Sequence, residues 1–221
     1  MNERRAIRAV IFDLDGTLVR YDGVEFESSW GAIAAAAGVR DRSLALLREY
    51  LPRKEAYAEW VAADAALLAG VPYAQVAERV LPAPYAKGVR EAVAQLRPRY
   101  QLGILSSGVD IVAEWVRADL GLDFAVANRV HVRDGAFTGT SETVVSLWAK
   151  DEALRAVARR ERIGLDEICF VGDHVNDIPV MRIVGMAVAA NPKDDVLLEV
   201  ADHVIERFDD LPELVDAWSL R

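Results

Sequence analysis

Asp13 and Asp15, separated by a single leucine in the stretch RAVIFDLDGTLV (residues 8 to 19), are the first residues of this chain whose types and spacing suit chemistry. They follow an apolar run, Ala9 to Phe12. In an extended chain, side chains two residues apart point to the same side, so the two carboxylates share a face while Leu14 turns back toward the interior. Like charges that close favour a bound cation or a proton retained by one of them. A purely local reading also exists, since Asp and Gly end strands and begin turns. Three further stretches carry matching chemistry: Ser106, Ser107 and Gly108, Lys150 within LWAKDEAL, and Asp173, Asn176 and Asp177 within GDHVNDIPVM. Taken singly, the serines are a helix N-cap, Lys150 a surface lysine, and the aspartates the caps of a following helix.

The elements that must position these residues follow from the apolar pattern. Five short runs read as core strands: Ala9 to Phe12, Leu102 to Leu105, Ile168 to Val171, Met186 to Ala189 and His203 to Ile205. Helical patterns follow most of them, over Val109 to Leu120, Asn176 to Val184, Asp194 to Val200 and Leu211 to Trp218. Strands alternating with helices predict a parallel sheet covered on both faces, with ligands at the carboxyl ends of the strands. Asp13, Ser106 and Asp173 all fall at such ends.

Residues 20–88 contain no comparable strand and read as helices over Glu25 to Ala37, Arg42 to Tyr50, Arg53 to Ala69 and Ala74 to Val80. This predicts two units: a catalytic core of residues 1–19 and 89–221, and a helical cap of residues 20–88 lying over the carboxyl end of the first strand. Arg20 to Gly23 and Pro82 to Gly88 would be the connecting hinge. Residues 128–139, with Asp134-Gly135 between two β-rich segments, predict a hairpin beside the main sheet.

Composition excludes several classes. A formal charge of −9, with basic residues interspersed among acidic ones, argues against a nucleic-acid surface. No signal pattern opens the chain and no apolar run approaches the roughly 20 residues needed to span a bilayer. A lone cysteine, Cys169, in an apolar run agrees with a reducing compartment, so a cytoplasmic protein with no membrane partner is expected.

The four motifs in this order, together with GLDFAVANRVHVRDGAFTG, resemble the haloacid dehalogenase superfamily and, within it, the phosphoserine phosphatase-like branch. The resemblance implies an α/β fold, a Rossmann-like parallel-sheet core with an inserted all-helical cap and a small β-hairpin flap. It implies a phosphomonoester hydrolase in which Asp13 attacks phosphorus and Asp15 serves as acid and then base. Mg2+ would be held by Asp13, the backbone carbonyl of Asp15 and Asp173, with Asp177 holding its waters. Ser106, Ser107, Gly108 and Asn176 would order the phosphate, and Lys150 would bridge Asp13 and phosphate. Four carboxylates against Mg2+ and Lys150 leave one negative charge, which a proton on Asp15 cancels. Gly16 and Thr17 would shape the turn after Asp13, and His174 would be a bystander at the rim.

The resemblance also implies a cap acid for a substrate amine and a cap arginine for its carboxylate. Asp22 falls at the acidic position, but the arginine position lands on Asp64, with Arg53 or Lys54 as possible substitutes. An aspartate would repel a carboxylate. If Asp22 and Asp64 both face the cleft, the leaving group is neutral or cationic and Trp30, Tyr57 and Trp60 offer it aromatic faces. Packing of the cap helices by those aromatics is the simpler expectation. The partner is thus a small phosphorylated metabolite, and the chain a monomer or homodimer. The rivals are a phosphotransferase of the same family, a phosphatase for an amino-alcohol phosphate, and a non-catalytic binding module.

Overall fold

The computed structural model describes residues 5–219. β1 (Ala9–Phe12) is fully buried, with Val10 and Phe12 in one hydrophobic core and Ala9 and Ile11 in the other. A strand apolar on both faces has to be covered on both. The chain then forms α1 (Ser29–Ala36), α2 (Arg40–Tyr50), α3 (Tyr57–Leu67), α4 (Tyr73–Val80) and α5 (Val89–Leu96) before β2 (Gln101–Val109). There follow α6 (Asp110–Leu120), β3 (Phe124–Arg133), β4 (Ala136–Glu142), α7 (Lys150–Glu161) and β5 (Ile168–Gly172). The chain closes with α8 (Ile178–Met181), β6 (Met186–Ala190), β7 (His203–Ile205) and α9 (Leu211–Ser219).

The seven strands form one sheet in the order β4-β3-β2-β1-β5-β6-β7, with every pair parallel except β3 and β4. This is the expected α/β architecture. The hairpin lies beside the main sheet and is joined to it, because β3 begins at Phe124 and pairs in parallel with β2 before turning into β4. Its turn residues, Asp134 and Gly135, both have positive φ (51° and 76°), the twist a two-residue hairpin requires.

Several predicted boundaries move for local reasons. β2 runs on through Ser106 to Val109, because Val109 still pairs with Asn128 of β3 after a shift in register. The helix expected from Glu25 breaks into a 3₁₀ turn, Glu25–Glu27, with Phe26 and Glu27 at φ of 57° and 52°. The Ser28 hydroxyl then caps α1 by accepting the Gly31 N–H. The stretch expected as a helix from Arg53 likewise begins as a 3₁₀ turn, Lys54–Ala56. Val175–Asp177 and Asp195–Glu199 are 3₁₀ turns where longer helices were expected; at the first, the Asp177 carboxylate turns back onto the amides of Asp173 and His174.

Residues 20–88 hold four α-helices and no strand of the main sheet. Their entry and exit segments run side by side, with Arg20 N–H donating to the Pro84 carbonyl and Ala86 N–H to that of Leu18, both at 2.9 Å. The turn between α3 and α4 is fastened to the hairpin: Gly70 and Tyr73 donate to the carbonyls of Phe137 and Gly135, and Phe137 donates to that of Val71. No described helix is long and apolar enough to cross a membrane.

Candidate active site

Strand register brings the motifs together. Phe12 of β1 lies opposite Ile104 of β2 on one side and Val171 of β5 on the other. Asp13, one residue on, therefore lies level with Leu105 and Gly172, and Ser106 and Asp173 follow at the same end of the sheet. Gly16, at φ 80°, lets the chain turn directly beneath Asp173; a Cβ there would run into the Asp173 carboxylate.

Lys150, at the start of α7, is completely buried. Its ammonium donates to Asp177 Oδ1 at 2.6 Å and lies 3.1 Å from Asp13 Oδ1. The Leu14 N–H also donates to Asp13 Oδ1, at 2.8 Å, whereas Asp13 Oδ2 has no hydrogen-bond partner among the described residues. The Thr17 hydroxyl donates to Asp173 Oδ1 at 2.8 Å. Asp13, Asp173 and Asp177 are all buried, and a ligand oxygen from each lies within 4.8 Å of the others.

One ammonium does not neutralise three carboxylates. Burial raises Asp13 to about 7; Lys150 opposes the rise, and Asp177 and Asp15 add to it. Burial, reinforced by Asp13 and Asp177, holds Asp173 well above the usual carboxylate range. Burial pulls the Lys150 ammonium down, but Asp13 and Asp177 outweigh it, so the lysine stays charged. Three hard oxygen donors with uncompensated negative charge, and no histidine or thiolate among them, could hold a hard divalent cation.

Asp15 points elsewhere. Ser29, at the start of α1, donates its hydroxyl to Asp15 Oδ2 at 2.7 Å and its N–H to Oδ1 at 2.9 Å, while its hydroxyl accepts the Val109 N–H at 3.1 Å. One edge of Asp15 stays open to the pocket, yet desolvation of the carboxyl raises it to about 6 against the Ser29 bonds. Gly108 permits this approach, since a Cβ there would collide with Asp15 and with the Ser29 hydroxyl.

Ser106 is buried and its hydroxyl accepts the Gly108 N–H at 3.0 Å. The Ser107 carbonyl receives three donors: Trp30 Nε1 (3.2 Å), the Tyr57 hydroxyl (3.0 Å) and Asn128 Nδ2 (2.8 Å). Asn128 is fully buried, and its side-chain oxygen also accepts the N–H groups of Val144 and Val145, on the segment leading to Lys150. Sequence reasoning missed both Ser29 and Asn128. Asn176 is buried, with its amide oxygen 3.2 Å from His174 Nδ1. His174 itself sits at the rim, 3.5 Å from Asp194 and edge-on to Phe26.

Above these groups opens a pocket of about 490 Å³, lined by Asp13, Asp15, Ser106, Ser107, Gly108, Asp173 and Asn176 below and by α1 to α3 above. Asp64 lines it, whereas Asp22 is exposed on the linker and is not among the lining residues. Asp22 lies on the linker next to Gly23, at φ 76°, whereas α3 faces the pocket along Tyr57, Trp60, Val61 and Asp64. Arg53 and Lys54 do not replace the missing arginine. Arg53 pairs with Glu49 and Glu59, Lys54 lies over the ring of Trp148, and neither lines the pocket. Trp30, Tyr57 and Trp60 all line it, but Trp30 and Tyr57 are pinned by their polar tips to the Ser107 carbonyl. Burial raises Asp64 to about 6, opposed by the Ser43 hydroxyl, which donates to Oδ1 at 2.8 Å. The Trp60 indole N–H also lowers it, without making a hydrogen bond.

The family of haloacid dehalogenase-like hydrolases matches residues 10–182. The chain is 32% identical to a phosphoserine phosphatase of Methanocaldococcus jannaschii, over 91% of this chain and 93% of that protein. It is 28% identical to one of Archaeoglobus fulgidus, over 92% of this chain but 58% of that longer protein. A solved structure of a phospho-aspartyl intermediate analogue of phosphoserine phosphatase superposes with a TM-score of 0.76 at 31% identity, covering 96% of this chain and 99% of that one. With the family pattern spanning most of the chain and the likeness extending over nearly all of it, this protein belongs to the haloacid dehalogenase-like hydrolase family.

Proposed function

We propose that the chain is a Mg2+-dependent phosphomonoesterase, phosphoserine phosphatase-like, that hydrolyses a small phosphorylated metabolite through an aspartyl-phosphate on Asp13. The observation that carries this reading is the seating of Lys150 between Asp13 and Asp177 beside Asp173, a cluster with no structural use for its excess charge. The names of the relatives support it. The division of labour is a core of residues 1–19 and 89–221 and a cap of residues 20–88. The setting is cytoplasmic, in keeping with the single buried Cys169.

Phosphoryl transfer needs an in-line nucleophile and positive charge around the moving oxygens, and little else. Asp13 Oδ1 is held by Leu14 and Lys150, which leaves Oδ2 to attack phosphorus. As the Asp13 oxygen–phosphorus bond forms, the phosphorus–ester oxygen bond breaks, and Asp15 gives its proton to the departing alcohol oxygen. Water then attacks phosphorus and passes its proton to Asp15, and the bond to Asp13 breaks to release phosphate. Ser29 aims Asp15, whose raised pKa suits an acid working near neutrality. Ser106, Ser107, Gly108 and Asn176 bind the phosphate oxygens. Mg2+, held by Asp13, Asp173 and the Asp15 carbonyl with Asp177 on its waters, would supply positive charge to those same oxygens.

The test is phosphate release from p-nitrophenyl phosphate, with and without Mg2+, for the parent and Asp13→Asn. The parent is expected to be active only with Mg2+, and the variant to lose at least about a thousandfold. Equal rates in the two proteins would remove Asp13 as nucleophile.

A further inference from the structure

The pocket's upper wall is built of apolar side chains that lie outside both hydrophobic cores. Leu44, Leu47, Leu51, Trp60, Leu147 and Trp148 all line it, and none belongs to either hydrophobic core. α2, which carries two of these leucines, has no buried residue at all. Apolar surface left half-covered inside a cavity of this size suits an apolar ligand, because burying it recovers free energy that folding left unclaimed.

Set into this wall is one buried carboxylate. Asp64 is 8% exposed; the Ser43 hydroxyl donates to its Oδ1, and the only other polar group credited to it is the Trp60 indole N–H, which makes no hydrogen bond. A buried charge so poorly compensated favours a cation beside it. Apart from Lys193 and His174, the other charged groups on the lining are acids. Glu25, Glu27 and Asp194 sit toward the mouth; Lys193 is occupied by Glu27 at 2.9 Å, and His174 lies against Asp194. Among the described residues no arginine lines the pocket, so a carboxylate on the leaving group would meet acids and no free cation.

Position sets the length. The Tyr57 hydroxyl touches the Ser107 carbonyl of the phosphate loop, and Asp64 lies seven residues further along the same helix face, two turns or about 10 Å. In phosphoserine the ammonium sits only two carbons from the ester oxygen.

We propose, resting on the phosphatase reading above, that the leaving group is an alcohol with an apolar spacer that ends in a cationic nitrogen and bears no carboxylate, the nitrogen pairing with Asp64. Asp64 is thus a specificity-determining residue. The spacer lies against the leucines of α2.

The experiment compares kcat/KM with Mg2+ at neutral pH for aminohexyl phosphate, hexyl phosphate, phosphoserine and p-nitrophenyl phosphate. Aminohexyl phosphate is expected to exceed hexyl phosphate by about tenfold, the equivalent of about 1.4 kcal/mol. Phosphoserine should be the poorest of the three alkyl esters. In Asp64→Asn, which relieves a buried charge and so should fold, the aminohexyl-to-hexyl ratio is expected to collapse toward one. Phosphoserine turned over as well as aminohexyl phosphate, or a ratio untouched by Asp64→Asn, would overturn the proposal while activity on p-nitrophenyl phosphate left the phosphatase reading standing. No phosphate release from any of the four would overturn both.

Discussion

At the floor of the pocket Lys150, Asp177, Asp173 and Thr17 are tied to one another by short hydrogen bonds, and Asp15 is held at both oxygens by Ser29. On the wall above, Leu44, Leu47 and Leu51 touch neither core, the Trp60 indole N–H has no hydrogen-bond partner, and Asp64 keeps a single donor. The floor is preorganised: its groups are held where charge will develop, so little reorganisation accompanies reaction. The wall carries the opposite signature, with surface and charge left over for something that arrives. A phosphoryl-transfer centre has one geometry to satisfy, whereas leaving groups differ between substrates. Seating the constant chemistry on sheet ends and the variable recognition on inserted helices separates the two demands.

The sharpest way to break this contrast is Lys150→Met, which removes the cation from among Asp13, Asp173 and Asp177. Taking one partner from a buried ion pair typically costs about 3–5 kcal/mol. In a chain of this size that is a fall in Tm of roughly 6–20 °C. Thermal denaturation should report the fall, and phosphatase assays a loss of at least about a thousandfold. A variant of parental stability and rate would mean that the floor's charges are not coupled.

A smaller effect, of opposite sign, is expected on the wall. The folded-state pKa of Asp64, about 6, lies above its ordinary value of 3.8, so the folded protein binds this proton more tightly than the unfolded chain does. Stability from this group therefore declines as pH rises from about 4 to about 6 and stays low above that. Asp64→Asn should match the parent near pH 4 and exceed it by about 3 kcal/mol well above pH 6, since each pKa unit is worth about 1.4 kcal/mol. Denaturant titrations at the two pH values measure the difference. A gain that is largest in acid would show that the carboxylate is already paired in the free protein.

Leu47→Ala should be the mildest. A leucine buried in a core typically costs about 2–5 kcal/mol on truncation to alanine, whereas a surface change away from special contacts stays within about 0.5 kcal/mol. The denaturation midpoint of Leu47→Ala is expected to follow the second case. A loss of core size would make α2 part of the packed interior and leave the wall without spare surface.

Much of this molecule could be read from short stretches. The run into Asp13, the spacing to Asp15 and the serines before α6 are local patterns, and the alternation of strands and helices orders them at one end of a parallel sheet. Lys150 was findable only as a member of the set, because nothing in its own neighbourhood separates it from a surface lysine. Ser28 and Ser29 show the limit. Both are serines before an apolar helix; Ser28 caps α1, while Ser29 reaches Asp15 and the backbone of β2. Which does which depends on where α1 docks, and no local spacing contains that. Asn128 is similar: its four hydrogen bonds join Ser107, Tyr57, Val144 and Val145, elements that only folding brings within reach. Asp22 is exposed outside the pocket lining, and the direction of a linker side chain is likewise absent from local spacing.

By itself the sequence determined the residue types of the centre and the strand ends that carry them, because side-chain alternation and parallel pairing leave few places for Asp13, Ser106 and Asp173 to go. Only the tertiary structure decided what surrounds the leaving group, since that wall is made where α2, α3 and the segment before α7 line one pocket. Helix faces are selected by packing against partners distant in the chain, and one turn of slip would exchange Asp64 for a different neighbour.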